Sequence, residues 1–276
     1  MVRTLLLAVL TLLMACNTLP HEILNQFEID IGEERYGDTL IIRMENPLHC
    51  PLRVNVERKP ELVATLSSHF PLILPPLVTD TSFIFITPTP AQEEDFSYSI
   101  TFETTSDTVR TDALELPYPR GQTHRIMQGY NGKFTHFKES SRYAIDFALS
   151  VGDTICAVAE GYVIGVIDGY ENGGNNPKWT PYSNFITLYH PERNLLTQYV
   201  HLMPQGSFVE VGDTVVTGQP IALSGATGYT SKPHLHFNVL DAKPGKMISI
   251  PATFGKKGLP GKELRKGMRF KHARKD

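Results

Sequence analysis

Five residues of this chain are candidates to hold a metal and move protons beside it: His136, Asp146, His201, His234 and His236. His234 and His236 lie two apart in His234-Leu235-His236-Phe237. Side chains two apart on a strand share a face, so both imidazoles project together while Leu235 and Phe237 pack on the other side. Two imidazoles side by side make a poor core feature and a good beginning for a metal site. Neutral imidazole is a common zinc ligand, and catalytic zinc takes three protein ligands and leaves a position open for water. The competing reading is a pair of histidines satisfied by ordinary hydrogen bonds. A third histidine, His201, stands in the strand-like stretch Gln198-Tyr199-Val200-His201-Leu202. Upstream, Tyr143-Ala144-Ile145-Asp146-Phe147-Ala148 sets one carboxylate in an otherwise apolar strand, which is costly unless a cation or metal answers it. Arg142 could answer it as a structural salt bridge; a metal is the alternative. Ten residues before the carboxylate stands His136, in Phe134-Thr135-His136.

Short strands must position these groups. Beyond Leu116-Pro117-Tyr118-Pro119-Arg120-Gly121, where two prolines and a glycine stop helix and sheet alike, strands are predicted over Tyr143–Leu149, Ile155–Ala159, Tyr162–Ile167, Phe185–His190, Leu195–His201 and Leu235–Leu240. Before it, Leu40, Ile42 and Met44 share one face, as do Leu52, Val54 and Val56, and Tyr98, Ile100 and Phe102; Phe83–Ile86 is a more continuous apolar run. Turn signals at Asn46-Pro47, Lys59-Pro60, Pro88-Thr89-Pro90 and Glu93-Glu94-Asp95 separate them. This pattern predicts an all-β chain, with an N-terminal antiparallel β-sandwich over 21–116 as an accessory unit and a β-rich domain over 117–255. One interruption is long: residues Asp168 to Ser183 hold Gly173-Gly174 and the only tryptophan, Trp179. A loop of that length is usually functional, and Trp179, Tyr170 and Tyr182 are expected along a groove wall. His190, at a strand end before Pro191, is expected at the surface. His49 beside Cys50 lacks a second pair of ligands and reads as a surface or packing residue.

At this point a resemblance is plain. Gln128-Gly129-Tyr130-Asn131-Gly132, His136, Tyr143-Ala144-Ile145-Asp146-Phe147 and Val151-Gly152-Asp153-Thr154 are similar to the first half of a lysostaphin-like (M23 family, LytM-type) zinc peptidase domain. Tyr199-Val200-His201-Leu202, Val211-Gly212-Asp213-Thr214-Val215, Gly225-Ala226-Thr227-Gly228 and His234-Leu235-His236-Phe237 are similar to the second half. The resemblance implies a β-rich core around a groove, with zinc held by His136, Asp146 and His236 and with His201 and His234 facing water and substrate as catalytic residues. It further implies an endopeptidase that cuts the peptide part of bacterial peptidoglycan. Zinc would polarise an amide carbonyl, and His201 or His234 would carry the proton. The chain departs from the commonest family pattern, in which the first ligand lies four residues before the Asp; here that position is Arg142. His136 must therefore be brought back by a loop, and His124 is the alternative ligand.

The ends add a location. Met1-Val2-Arg3 is basic, Thr4 to Ala15 is apolar but short for a membrane span, and Leu13-Met14-Ala15-Cys16 resembles a bacterial lipobox. Residues 1–16 then form a signal, Cys16 carries lipid, and the protein is exported to the cell envelope and anchored to a membrane; a plain secretory signal is the alternative. Cys50 and Cys156 are expected as two free buried thiols, not as a bridge. The formal net charge of −3 hides an asymmetry: residues 256–276 hold nine Lys/Arg against two Asp/Glu, net +7, leaving −10 for the rest. That basic tail is expected to be solvated and partly disordered. No nucleic-acid partner is expected. Two other functions remain open: a non-catalytic wall-binding or regulatory protein on the same domain, and a zinc peptidase that acts on proteins.

Overall fold

Alternation of apolar and polar side chains at a period of two builds every layer of this molecule. The computed structural model describes residues 18–57, 70–86, 97–104 and 108–274. The expected signal segment with Cys16, and the turn signals at Lys59-Pro60, Pro88–Pro90 and Glu93–Asp95, lie outside the described residues.

The described residues of the N-terminal unit form six strands: β1 (Ile31–Tyr36), β2 (Thr39–Asn46), β3 (Leu52–Glu57), β4 (Leu72–Leu74), β5 (Val78–Ile86) and β6 (Ser97–Phe102). They form two antiparallel three-stranded sheets, β1-β2-β5 and β4-β3-β6. Leu40, Ile42 and Met44 from β2 meet Leu52, Val54, Leu74 and Phe102 in one buried core, while Ile41 and Arg43 point away from it. Cys50, in that core, and Cys156 are both free and buried.

The second unit continues with β7 (Thr123–Gln128), β8 (Ile145–Ala148), β9 (Thr154–Cys156), β10 (Gly161–Ile167), β11 (Gly173–Gly174), β12 (Phe185–His190), β13 (Leu195–Val200), β14 (Leu202–Ser207), β15 (Thr214–Val215) and β16 (Pro220–Ser224). It ends with β17 (Gly228–Tyr229), β18 (Leu235–Lys243), β19 (Lys246–Ser249), β20 (Thr253–Phe254), β21 (Leu259–Pro260) and β22 (Arg269–Lys271). The main sheet runs β15-β10-β12-β13-β18-β8-β7-β22, with β19 paired to β18, and a smaller sheet β14-β16-β9 stands beside it.

The main sheet uses its two faces differently. Leu195 and Tyr199 of β13, Leu235, Phe237 and Val239 of β18, and Ile145 and Phe147 of β8 point into one core. On the opposite face the far ends of the strands, at Ile164, Tyr189, Leu196, Leu240 and Ala242, are covered by the N-terminal sandwich. His49 stacks on Tyr162 across this contact, with ring centroids 4.0 Å apart. The uncovered remainder of that face, at Phe185, Gln198, Val200, His236 and Asn238, forms the floor of a cleft.

Two expectations need correction. Leu114, Leu116 and Tyr118, in or beside the Pro-rich stretch, are buried in the second core; its prolines interrupt the strands without separating the units there. The basic segment after Lys256 is ordered through residue 274. β22 pairs with β7 at the sheet edge, Leu264 is buried in the core, and the buried His272 imidazole spans the Tyr118 carbonyl (2.5 Å) and the Glu115 carboxylate (2.6 Å). Net charge says little about a segment that an edge strand can recruit through its backbone.

Candidate metal centre and cleft

β8 and β18 are antiparallel neighbours, and their register sets Asp146 opposite His236. Both strands alternate, so the two residues share the cleft face while Ile145, Phe147, Leu235 and Phe237 enter the core. His236 Nδ1 lies 3.0 Å from Asp146 Oδ1. His136 reaches the same point from the loop between β7 and β8: its Nε2 lies 3.1 Å from Asp146 Oδ1 and 3.2 Å from His236 Nδ1. His136 and Asp146 are buried and His236 is half-buried. Arg142 makes no ion pair with Asp146, whose ion-pair partners among the described residues are all histidines. His124 instead contacts the Ala148 carbonyl and Gln122, away from the cluster.

The donor set tests itself for a metal. His136 Nδ1 donates to the Gly129 carbonyl at 2.9 Å, which leaves a lone pair on Nε2 in the neutral ring. That lone pair faces a carboxylate oxygen and a second imidazole nitrogen. Such a convergence is repulsive unless a cation sits among the three atoms or the ring takes up another proton. One carboxylate and two imidazoles, two of the three buried, fit a divalent first-row metal.

Two more imidazoles line the cleft. His234 precedes β18, and its Nδ1 donates to the Lys232 carbonyl (2.9 Å), with Thr230 Oγ1 at 3.1 Å. Its Nε2 then carries the lone pair and sits 3.7 Å from Asp146 Oδ1. His201 Nδ1 donates to the Thr227 carbonyl at 2.8 Å. The His201 and His234 rings lie 4.6 Å apart. Burial, then the neighbouring His234 and His236, push the His201 imidazole down to about 3, so the ring is neutral and its Nε2 carries a lone pair. Burial likewise lowers His236. Burial would raise the Asp146 carboxyl, but the contacts with His136 and His236 outweigh it and hold the group well below the usual carboxylate range.

Gln128 was not singled out by its chemistry in the sequence, yet it ties the site together. Its amide donates to Asp146 Oδ2 (3.2 Å) and Thr135 Oγ1 (2.7 Å), and its Oε1 accepts the Phe134 N–H (3.2 Å). It thus holds the His136 loop against the carboxylate. A polar side chain beside a glycine-rich turn was the available signal.

The cleft has a volume of about 860 Å³, and every described residue that lines it lies at or after Arg125, so no described residue of the sandwich enters it. Its aromatic wall is Phe134, Phe137 and Tyr229, not the expected Trp179, Tyr170 and Tyr182. Trp179 and Tyr170 are buried, and Tyr182 packs edge-on against both rings. These aromatics hold the long loop in place, and its Asn175, Pro177, Thr180 and Pro181 face the cleft instead. His190 is also corrected: it is buried, between the Glu160 carbonyl (2.6 Å) and Thr197 Oγ1 (2.8 Å). A strand end before a proline reads locally as surface, but His190 stands opposite Leu195 on the core face of the sheet, where Leu188, Leu195 and Tyr199 are buried.

Comparison with known proteins accords with this geometry. Residues 140–248 match the family model described as Peptidase family M23, a span that includes Asp146, His201, His234 and His236 and begins after His136. An uncharacterized metalloprotease of Buchnera aphidicola subsp. Baizongia pistaciae is 32% identical over 127 residues, covering 45% of this chain and 30% of that protein. The glycyl-glycine endopeptidase ALE-1 of Staphylococcus capitis is 36% identical over 99 residues, covering 35% and 24%. The peptidoglycan DD-endopeptidase ShyB of Vibrio cholerae is 34% identical over 128 residues, covering 45% and 27%. The matches therefore span less than a third of each relative.

Proposed function

On the premise that this chain carries a Peptidase family M23 domain, we propose that it is a zinc-dependent endopeptidase that hydrolyses peptide cross-links of bacterial peptidoglycan. The observation that carries this reading is the convergence of His136, Asp146 and His236 on one point, with the Nε2 lone pairs of two further imidazoles turned toward the same cleft. The names of the staphylococcal and Vibrio relatives support the substrate class.

In this reading His136, Asp146 and His236 hold the zinc, which when bound supplies a Lewis acid for the amide carbonyl and acidifies a water. The chain's own residues do the rest. A neutral imidazole with a free Nε2, His201 or His234, takes the proton of the attacking water and returns it to the leaving amine. Its partner steadies the charge that develops on the carbonyl oxygen. Both rings are fixed through Nδ1 by backbone carbonyls, so their Nε2 atoms are pre-aimed. The reading also includes export to the cell envelope and a lipid anchor at Cys16.

The test is incubation of the zinc-loaded full chain with purified cell-wall sacculi. New free amines, abolished by a chelator and restored by zinc, are expected. Binding to sacculi without new amines would instead make the chain a non-catalytic wall binder, and cleavage of unrelated proteins but not of sacculi would move the substrate class.

A further inference from the structure

The cleft carries formal charge of nearly one sign. Arg125, Lys138, Lys232 and Lys266 line it, and Asp146 is the sole acidic residue among the described residues of its lining. That carboxylate is already engaged by imidazoles. All four basic residues are exposed, and none makes an ion pair with an acid among the described residues. They come from four separate segments: β7, the loop that carries His136, the loop before β18 and the turn before β22.

The strand register supplies a second observation. Arg125 of β7 stands directly opposite Arg269 of β22, and both are exposed. Like charges directly opposite on paired strands destabilise the pair, so the fold carries two guanidinium groups side by side at the cleft end with no acid between them. The basic C-terminal segment thus brings Lys266 and Arg269 to the substrate side of the sheet. An apolar or uncharged peptide gives this arrangement nothing to neutralise.

We infer that the cleft selects a peptide strand that bears free carboxylates close to the scissile bond over an uncharged strand. Carboxylates on the bound strand meet Arg125 and Lys266 at one end and Lys138 and Lys232 at the loops, and the guanidinium of Arg125 can grip a carboxylate through two N–H groups. The scissile bond in this statement rests on the endopeptidase reading; the binding preference does not require hydrolysis.

The test uses two fluorescein-labelled cross-linked stem peptides, one with its carboxylates free and the other with them amidated. Binding to the zinc-loaded His234→Ala protein is read by anisotropy at low and high salt. The free acid is expected to bind about tenfold tighter at low salt, with the gap closing as salt rises. Pairing Arg125→Gln with Lys266→Gln, or Lys138→Gln with Lys232→Gln, should shrink that ratio toward one, while Lys256→Gln with Lys257→Gln, outside the cleft, should leave it. Equal binding of both peptides, a preference that survives both cleft pairs, or an equal loss in the outside pair would overturn the inference. Failure of the endopeptidase reading shows separately, as intact peptide and sacculi after incubation with the unsubstituted protein.

Discussion

The Gly225 amide donates to the His201 carbonyl over 2.9 Å, and this contact fixes an imidazole that strand alternation alone would place on the wrong side. Val200 already faces the cleft, so the next residue of a regular strand would turn inward to the core. His201 avoids this with a left-handed backbone, φ 68°, a conformation that costs a non-glycine residue of order 1 kcal/mol or more. A Cβ on residue 225 would run into the backbone of Leu202 and Met203. Gly225→Ala should therefore push His201 off its aim. Cleavage is expected to fall by about 100-fold, with metal content and far-UV circular dichroism retained; unchanged turnover would show that His201 is not held through this contact.

Gln128 should matter for the metal more than for the fold. It is the amide that bonds Asp146 Oδ2 while fastening the His136 loop. Removing such a partner of a ligand typically weakens a metal site by roughly 10- to 100-fold. Competition with a fluorescent chelator should show that loss in Gln128→Ala, with the denaturation midpoint of the chelated protein little changed.

His190 predicts an acid-side loss of stability. Burial pushes its imidazole down to about 4, against about 6.5 in an unfolded chain. Between those values the unfolded state binds more protons, so stability rises with pH there. The contribution is fully present above about pH 6.5 and lost as pH falls to about 4, a difference on the order of 3 kcal/mol. Urea midpoints measured from pH 7.5 to 4 should fall more steeply for the unsubstituted protein than for His190→Gln, which has no proton to gain. Parallel curves would contradict the assignment.

Local pattern made much of this legible in the sequence, and nonlocal packing accounts for the rest. Leu235 and Phe237 alternate with His236, and Ile145 and Phe147 flank Asp146, so the apolar sides of these strands could be read directly. The sandwich strands were equally legible from Leu40, Ile42 and Met44. By contrast, His190 and Trp179 sit in local contexts that suggest exposure and are buried by packing that leaves no periodic trace, the Glu160 carbonyl and Thr197 in one case and the loop's own aromatics in the other. The C-terminal segment looked like a solvated tail because its charge is conspicuous and its edge pairing with β7 leaves no periodic trace in three residues. His136 lies ten residues from Asp146 rather than four, and only the turn held by Gln128 and Gly129 shows how it returns.

The central claim divides five residues into three that hold zinc and two that move protons. Its most direct test measures zinc content and sacculus cleavage together on Asp146→Ala and His234→Ala proteins. Asp146→Ala should lose zinc outright and cleave nothing; His234→Ala should keep near-stoichiometric zinc and still cleave nothing. Full zinc with normal cleavage in either variant, or loss of zinc from His234→Ala, would contradict the division of roles.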